Sequence, residues 1–368
     1  MKFKVKKSEF IDKLNRVASL IGSRTTLPVL YNVMLETDNG KIVLTSSDLE
    51  IRITASLDAE IEREGKTTLP AKTLVSMIKG LSGTEIFMES DLETHHMKIK
   101  CEKSSYNLYG LPPDDFPLPE QFSPIRRTSV KQDELVRMLN RIAYAASSDD
   151  SRKNLNGVLF SIKEGIFTVV ATDGKRLALV EKAAESFSGD DGQVIIPSKS
   201  IVEIQRLFSG GDEEVIIEFG ENQTLFSMNG RTLTTKLVEG NYPNFRQVIP
   251  TSFSKKIEIP KQTFSAALQR IINVVSDNNV HVLLYFGDNA VKMKAASTEI
   301  GEGEETVDIE YDGELITASL NPVFLLDPFK HLDADSMTMQ LNDGFNPIAL
   351  SSGDGFLYVI MPMRNKES

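Results

Sequence analysis

The chain of 368 residues carries 40% hydrophobic and 25% charged residues with a formal net charge of −11, which suits two or three globular domains and excludes a disordered or membrane-embedded chain. No apolar run approaches the roughly 18 residues of a spanning helix, and the acidic balance argues against indiscriminate binding to nucleic acid. The single cysteine, Cys101, excludes an intramolecular disulfide, and the basic start Met1-Lys2-Phe3-Lys4 lacks the apolar segment of a secretory leader, so a reducing, cytoplasmic setting is expected.

Taken in order, residues 5–21 place Phe10, Leu14, Val17 and Ile21 on one helical stripe, with Ser8 at the expected N-cap. The design recurs at 130–146, where Leu135, Leu139, Ile142 and Ala146 fall at i, i+4, i+7 and i+11 behind Asp133 as cap. It recurs again at 259–275 with Phe264, Leu268, Ile271 and Val275. An arginine keeps one register in all three copies: Arg16, Arg141 and Arg270. The offsets between copies, 125 and then 129 residues, are those of whole domains rather than solenoid units.

Each copy continues alike. Strands are expected near 31–37, 41–46 and 50–57, with Asp38-Asn39-Gly40 as a turn. A second helix is expected at 72–81 behind Leu69-Pro70, at 199–208 behind Ile196-Pro197 and at 322–332 from Asn321-Pro322. Proline suits a helix start because its missing N–H would be unpaired there anyway. More strands follow, then a proline-bearing close at Phe116-Pro117, Tyr242-Pro243 and Met361-Pro362. The reading is an α+β chain of three domains, 1–124, 125–253 and 254–368, each with helices packed on antiparallel sheet.

Catalytic chemistry finds no foothold. The pair His95-His96 would point to opposite faces of a strand and cannot share a metal. The sequence has no zinc-ligand spacing, no phosphate-binding glycine loop and no nucleophile elbow, so neither metal nor cofactor is expected. Thr172-Asp173-Gly174-Lys175-Arg176 could suggest an aspartate nucleophile, yet it has no second carboxylate nearby in sequence and reads as a tight turn between strands 166–171 and 176–181.

Several motifs in order along the whole chain carry a resemblance. They are Met1-Lys2-Phe3, Thr26-Leu27-Pro28-Val29-Leu30, Asp48-Leu49-Glu50, Ala171-Thr172-Asp173-Gly174-Lys175-Arg176-Leu177-Ala178, Lys236-Leu237-Val238-Glu239-Gly240-Asn241-Tyr242-Pro243, and Ile360-Met361-Pro362-Met363-Arg364. With its triplication, the chain resembles the bacterial DNA polymerase III β subunits, the sliding clamps. The resemblance implies a non-enzymatic homodimer, closed head to tail into a ring around duplex DNA without sequence preference. It also implies a hydrophobic pocket for short Leu/Phe-containing peptides of the replicative polymerase, the clamp loader, and other polymerases and repair proteins, with no membrane partner.

Carried over residue by residue, the pocket would comprise Leu155, Thr172, Gly174, Lys175, Arg176, Leu177, Pro243, Val248, Phe345, Met361, Pro362, Met363 and Arg364. Asn365 stands where the family usually ends on an apolar residue, and Lys366–Ser368 extend past that end. Lysines and arginines facing the hole would meet phosphates, leaving an acidic exterior to repel DNA. The candidates are Arg24, Lys72, Lys79, Arg152, Lys153, Lys199, Arg206, Lys261 and Arg270. Ring closure would bring Tyr106 and Leu108 of one copy to Val274 and Val275 of the other. Two alternatives stand beside this reading: a peptide-binding scaffold that does not encircle DNA, and a hydrolase using Asp173.

Overall fold

The computed structural model describes residues 1–22, 25–91, 93–276 and 280–363. In the first repeat, strand β1 (Lys2–Lys6) runs straight into helix α1 (Lys7–Ala18), followed by β2 (Asn32–Asp38), β3 (Lys41–Ser47), β4 (Ile51–Asp58) and β5 (Glu60–Arg63). Then β6 (Lys66–Pro70) runs into α2 (Ala71–Gly80) and on to β7 (Glu85–Ser90), β8 (His96–Cys101) and β9 (Ser104–Tyr109). The second repeat has β10 (Arg126–Lys131), α3 (Gln132–Ile142), β11 (Gly157–Lys163), β12 (Ile166–Thr172), β13 (Arg176–Ala183) and β14 (Glu185–Ser188). It ends with β15 (Gly192–Pro197), α4 (Ser198–Leu207), β16 (Glu214–Phe219), β17 (Gln223–Met228) and β18 (Arg231–Lys236). The third has β19 (Lys255–Pro260), α5 (Lys261–Ile271), β20 (Val282–Gly287), β21 (Ala290–Ser297) and β22 (Gly301–Asp308). It closes with β23 (Ile316–Leu320), α6 (Pro322–Lys330), β24 (Ser336–Leu341), β25 (Ile348–Ser351) and β26 (Phe356–Ile360).

The helices begin differently from the sequence expectation. Ser8 and Asp133 are not caps; they lie inside the first turns of α1 and α3. The strand preceding each long helix supplies what a cap would. The N–H groups of Lys7, Gln132 and Lys261 donate to the carbonyls of Thr84 (2.8 Å), Glu213 (2.8 Å) and Asp335 (2.9 Å), extending the ladders of β1, β10 and β19 by one bond. An orphan donor at a helix start needs a partner, and here the sheet provides it. The stripes at 5–21, 130–146 and 259–275 were therefore too long: Val5, Val130 and Ile259 are strand residues, and the helices end at Ala18, Ile142 and Ile271. Pro70 and Pro197 lie just outside their helices, and Pro322 alone of the expected prolines sits in a first turn, behind an Asn321 side chain that accepts from the N–H groups of Val323 and Phe324.

Two compact units cut across the repeats. The first unit holds Met1–Val136, Glu185–Asp190 and Lys199–Leu237, and the second holds Arg137–Ala184, Asp191–Ser198 and the chain from Val238 onward. Sheet continuity explains the division. In the first unit β18 pairs with β4, Leu233 opposite Ile53, which welds the last strand of repeat two onto repeat one in a nine-stranded sheet, β14-β10-β16-β17-β18-β4-β3-β2-β6. The other sheet of this unit is β5-β1-β7-β8-β9. In the second unit β26 pairs with β13, Val359 opposite Leu177, making the eight-stranded sheet β15-β11-β12-β13-β26-β25-β24-β19 beside the four-stranded β22-β21-β20-β23.

Helices cover these sheets. In α1, Phe10, Leu14 and Val17 are buried, each worth about 1.5–3 kcal/mol of removal from water. In the third repeat Phe264 of α5 and Phe329 of α6 pack with ring centroids 5.0 Å apart. Cys101 is a buried free thiol on β8, as its strand position suggested. Among the described residues no helix is long and apolar enough to cross a membrane.

Candidate functional site

The turn Thr172–Arg176 joins β12 to β13 and is knotted by its own side chains. Asp173 Oδ1 accepts from the N–H groups of Lys175 (2.9 Å) and Arg176 (3.1 Å), and Thr172 Oγ1 accepts from Gly174 N–H at 3.1 Å. Gly174 has φ +85°, a left-handed backbone that glycine adopts without steric cost. Met361 N–H donates to Lys175 O at 3.0 Å, so the strand end after β26 is held alongside this turn. Further on, Met363 N–H donates to Ser319 O on β23 at 2.7 Å.

The predicted pocket residues divide by burial. Leu155 and Leu177 belong to a buried cluster with Leu179, Tyr242 and Val359. Thr172 is buried as well. Gly174, Lys175, Pro243, Val248, Met361 and Met363 are exposed. Two methionines held in water offer an adaptable apolar surface. Phe345 lies on the β24–β25 loop, where its N–H is bound by Asp343 Oδ1 at 2.8 Å, and its ring is exposed. Pro362 is half-buried, and Arg364 lies outside the described residues, as does the tail beyond it.

Arg176, expected at the peptide site, is held by partners within its own unit. Its side chain is only 10% exposed and every nitrogen is engaged: Nε with Asp173 Oδ2 at 3.1 Å, Nη1 with Asp327 Oδ2 at 2.5 Å, and Nη2 with Tyr144 O at 2.6 Å. The guanidinium also lies 4.2 Å from the Phe324 ring centroid. It ties the turn to α6. Asp327, Tyr144 and Phe324 have no local sequence signal, since Asp327 lies 151 residues from its arginine. Val323, exposed in the first turn of α6, adds an apolar side chain that the sequence reading missed. Asp327 also supplies the second carboxylate that seemed missing near Asp173, but Arg176 stands between the two and neutralises both.

The cations expected to meet DNA are placed unevenly. Lys72 and Lys79 are exposed on α2, and Lys153 is exposed after the 3-10 turn that follows α3. On α4, exposed Lys199 is paired with Asp48, and Arg206 with Glu203 at 2.8 Å. Arg152 is exposed; its Nη1 donates to Asp173 O at 3.1 Å and its Nε pairs with Asp149 Oδ2 at 3.2 Å. Lys261 is reassigned, because its ammonium donates to the carbonyl of Leu332 beyond α6, as Lys7 does to Leu81 beyond α2. A cation there satisfies carbonyls left over at a helix end. Arg270 is held in a bidentate pair by Glu305 at 2.7 and 2.6 Å, so a phosphate would have to displace that carboxylate. Arg24 lies outside the described residues. Among the described residues no group of three or more His, Cys, Asp or Glu could hold a metal ion.

Three family models match in succession: the DNA polymerase III beta subunit N-terminal domain over residues 1–120, its central domain over 129–244 and its C-terminal domain over 246–364. The beta sliding clamp of Pseudomonas aeruginosa is 32% identical over 368 residues, with 99% of this chain and 100% of that protein covered. That of Chlamydia pneumoniae is 30% identical over 365 residues, with 99% of each covered. The crystal structure of the Pseudomonas aeruginosa subunit superposes with a TM-score of 0.94 at 31% identity, covering 99% of this chain and 100% of that one. The class these matches and the triplicated α+β architecture define is the clamp-fold processivity factor, which is not an enzyme. The chain belongs to the DNA polymerase III beta subunit family, the beta sliding clamps.

Proposed function

We propose that two copies close head to tail into a ring that encircles duplex DNA and, through the pocket at the Thr172–Arg176 turn, holds polymerases to it. One observation carries the ring. Inside the chain, the last strand of repeat two pairs with β4 of repeat one, and the last strand of repeat three pairs with β13, the counterpart of β4 in repeat two. By the same rule β9 ends repeat one, and β22 is the counterpart of β4 in repeat three. Both are sheet edges, and unpaired edges invite pairing. Joining β9 of one copy to β22 of the next would add a five-stranded to a four-stranded sheet, matching the nine strands of the β18–β4 sheet. Head-to-tail contacts of this kind close into a ring when the rotation permits.

Side chains support this register. Tyr106 pairs with Ile99 as Leu233 pairs with Phe226, so it occupies the position of a fully buried leucine, yet it is 45% exposed. Gly303 stands in the ladder where Ile53 stands in repeat one. A Cβ there would lie 3.1 Å from Val274 Cγ2 and 3.2 Å from Ile271 Cδ1, which leaves bare backbone beside Val274 for a partner's Tyr106. Half-buried Val275 would flank it. Leu108 is already buried in its own sheet and adds little to a contact between copies. Exposed Lys98 and Lys100 flank the β9 edge, and exposed Glu302 lies on the β22 edge, where Glu304 pairs with Lys294 at 2.7 Å, so Glu302 offers a complementary charge.

The α-helices among the described residues of each copy would face the DNA. Lys72, Lys79, Lys153, Lys199 and Arg206 would make loose phosphate contacts, enough for a link that is topological rather than adhesive. The partners are the replicative polymerase, a clamp loader and other proteins carrying short Leu/Phe peptides, in the cytoplasm. Small-angle scattering should give twice the chain mass and a distance distribution that fits a hollow disc; a compact monomer at micromolar concentration would remove the ring. Met361→Asp should weaken a Leu/Phe peptide about 100-fold, the cost of polarising a central apolar contact, with scattering unchanged. Equal peptide affinity by titration calorimetry would remove the pocket.

A further inference from the structure

We propose that the cavity between β4, β18 and the segment Pro117–Phe122 is a second peptide-docking site, a diverged copy of the first, that takes a short extended peptide whose apolar side chain is followed by a carboxylate. The turn from Ser47 to Arg52 repeats the turn from Thr172 to Leu177 bond for bond. Asp48 Oδ1 accepts from the N–H groups of Glu50 (3.0 Å) and Ile51 (2.7 Å), as Asp173 does two and three residues on. Ser47 Oγ accepts from Leu49 N–H at 3.2 Å, as Thr172 does from Gly174. Leu49 has φ +77° where Gly174 has +85°. The strand pair β4–β18 beneath it is the counterpart of β13–β26, and Phe116-Pro117 above it is the counterpart of Tyr242-Pro243.

The cavity, about 410 Å³, is lined by Leu49, Arg52, Pro117, Leu118, Phe122 and Lys236 among others. Its chemistry differs from that of the first pocket at several aligned positions, Leu49 for Gly174, Glu50 for Lys175 and Ile51 for Arg176 among them. Arg52 and Lys236 take the places of Leu177 and Met361, while Phe122 keeps the apolar place of Val248. Lys236 is satisfied by Glu120 at 2.7 Å, and Gln223 holds the other oxygen of that carboxylate at 2.8 Å. Arg52 is not matched in this way. Its guanidinium donates to Pro117 O and lies 5.7 Å from the Phe116 ring centroid, and no carboxylate among the described residues pairs with it. A half-buried arginine of this kind presents a fork for a carboxylate. Apolar surface stands beside it: Leu118 is 85% exposed, and Leu49 is 48% exposed in a left-handed conformation that costs a branched side chain about 1–2 kcal/mol. Strain and exposed aliphatic surface at one cavity mark a contact surface.

The ligand class rests on the first pocket being a peptide site; the cavity and its unmatched arginine do not. The test uses the full-length chain carrying Met361→Asp, which disables the first pocket, and the probe acetyl-Ser-Leu-Phe with a free C-terminal carboxylate, beside its C-terminal amide. The methyl resonances of Leu49 and Leu118 should shift with the acid, and the amide should bind at least tenfold more weakly. Arg52→Gln should lose about tenfold in affinity for the acid. Leu118→Glu, an exposed change that leaves folding alone, should lose as much by supplying a competing carboxylate. Unmoved methyls at millimolar acid, or equal binding of acid and amide, would overturn the proposal. If native and Met361→Asp chains bind the probe equally while these methyls shift, the first pocket fails and the second stands.

Discussion

Replacing Arg176 with alanine should lower stability by about 3–5 kcal/mol, the cost of stripping one partner from a buried ionic network, and should abolish peptide capture at the Met361 pocket. The change removes one guanidinium but leaves two carboxylates, Asp173 and Asp327, whose side chains are 16% and 15% exposed. It also frees the carbonyl of Tyr144 and the face of Phe324. A surface pair would be worth under about 1 kcal/mol, so magnitude separates the two accounts. Urea unfolding of the variant is the measurement, and a loss below 1 kcal/mol would mean water already screens the site. Arg176→Met combined with Asp327→Leu should regain much of the stability because no buried charge is left uncompensated at α6. Peptide binding should not return with it, since Asp173 would still lack the pairing that fixes the turn.

Tyr106→Asp should convert the proposed dimer to a monomer that remains folded. Tyr106 lies on an exposed edge and contributes little to its own core, so the single chain should keep its thermal midpoint within a degree or two. Loss of an aromatic anchor at a contact centre costs about 2–4 kcal/mol. A ring closed by two identical contacts incurs that loss twice, so the dissociation constant should rise by about a thousandfold or more. The introduced carboxylate would also face the acidic edge that carries Glu302 and Glu304. Sedimentation equilibrium reads the result directly. A dimer of unchanged affinity would show that β9 is not the joining edge, and the counterpart argument for β22 would go with it.

The outcomes differ for identifiable reasons. Leu135, Leu139 and Ile142 were readable as a helix face because core-facing residues must recur with the helical period, and the recurrence of that face exposed the triplication. Val130, five residues before Leu135, lies off that helical stripe and belongs to strand β10, which runs straight into the helix. Ser8 and Asp133 were misread as caps because the true partners of the first helical N–H groups, Thr84, Glu213 and Asp335, immediately precede the remote strands β7, β16 and β24. Lys261 and Arg270, like Lys199, each looked like a free cation, and each bonds a carbonyl or carboxylate that is remote in sequence.

By itself the sequence determined the three-fold repetition, the helix-on-sheet class, the knotted turn at Asp173 and the family, because spacing and short-range side-chain bonding are properties of neighbours along the chain. The tertiary structure alone decided which charges are spent and which two strand edges remain open. Those are decided by partners that the fold brings together from as far as 190 residues apart, as with Arg16 and the carbonyl of Arg206, and no local pattern encodes them.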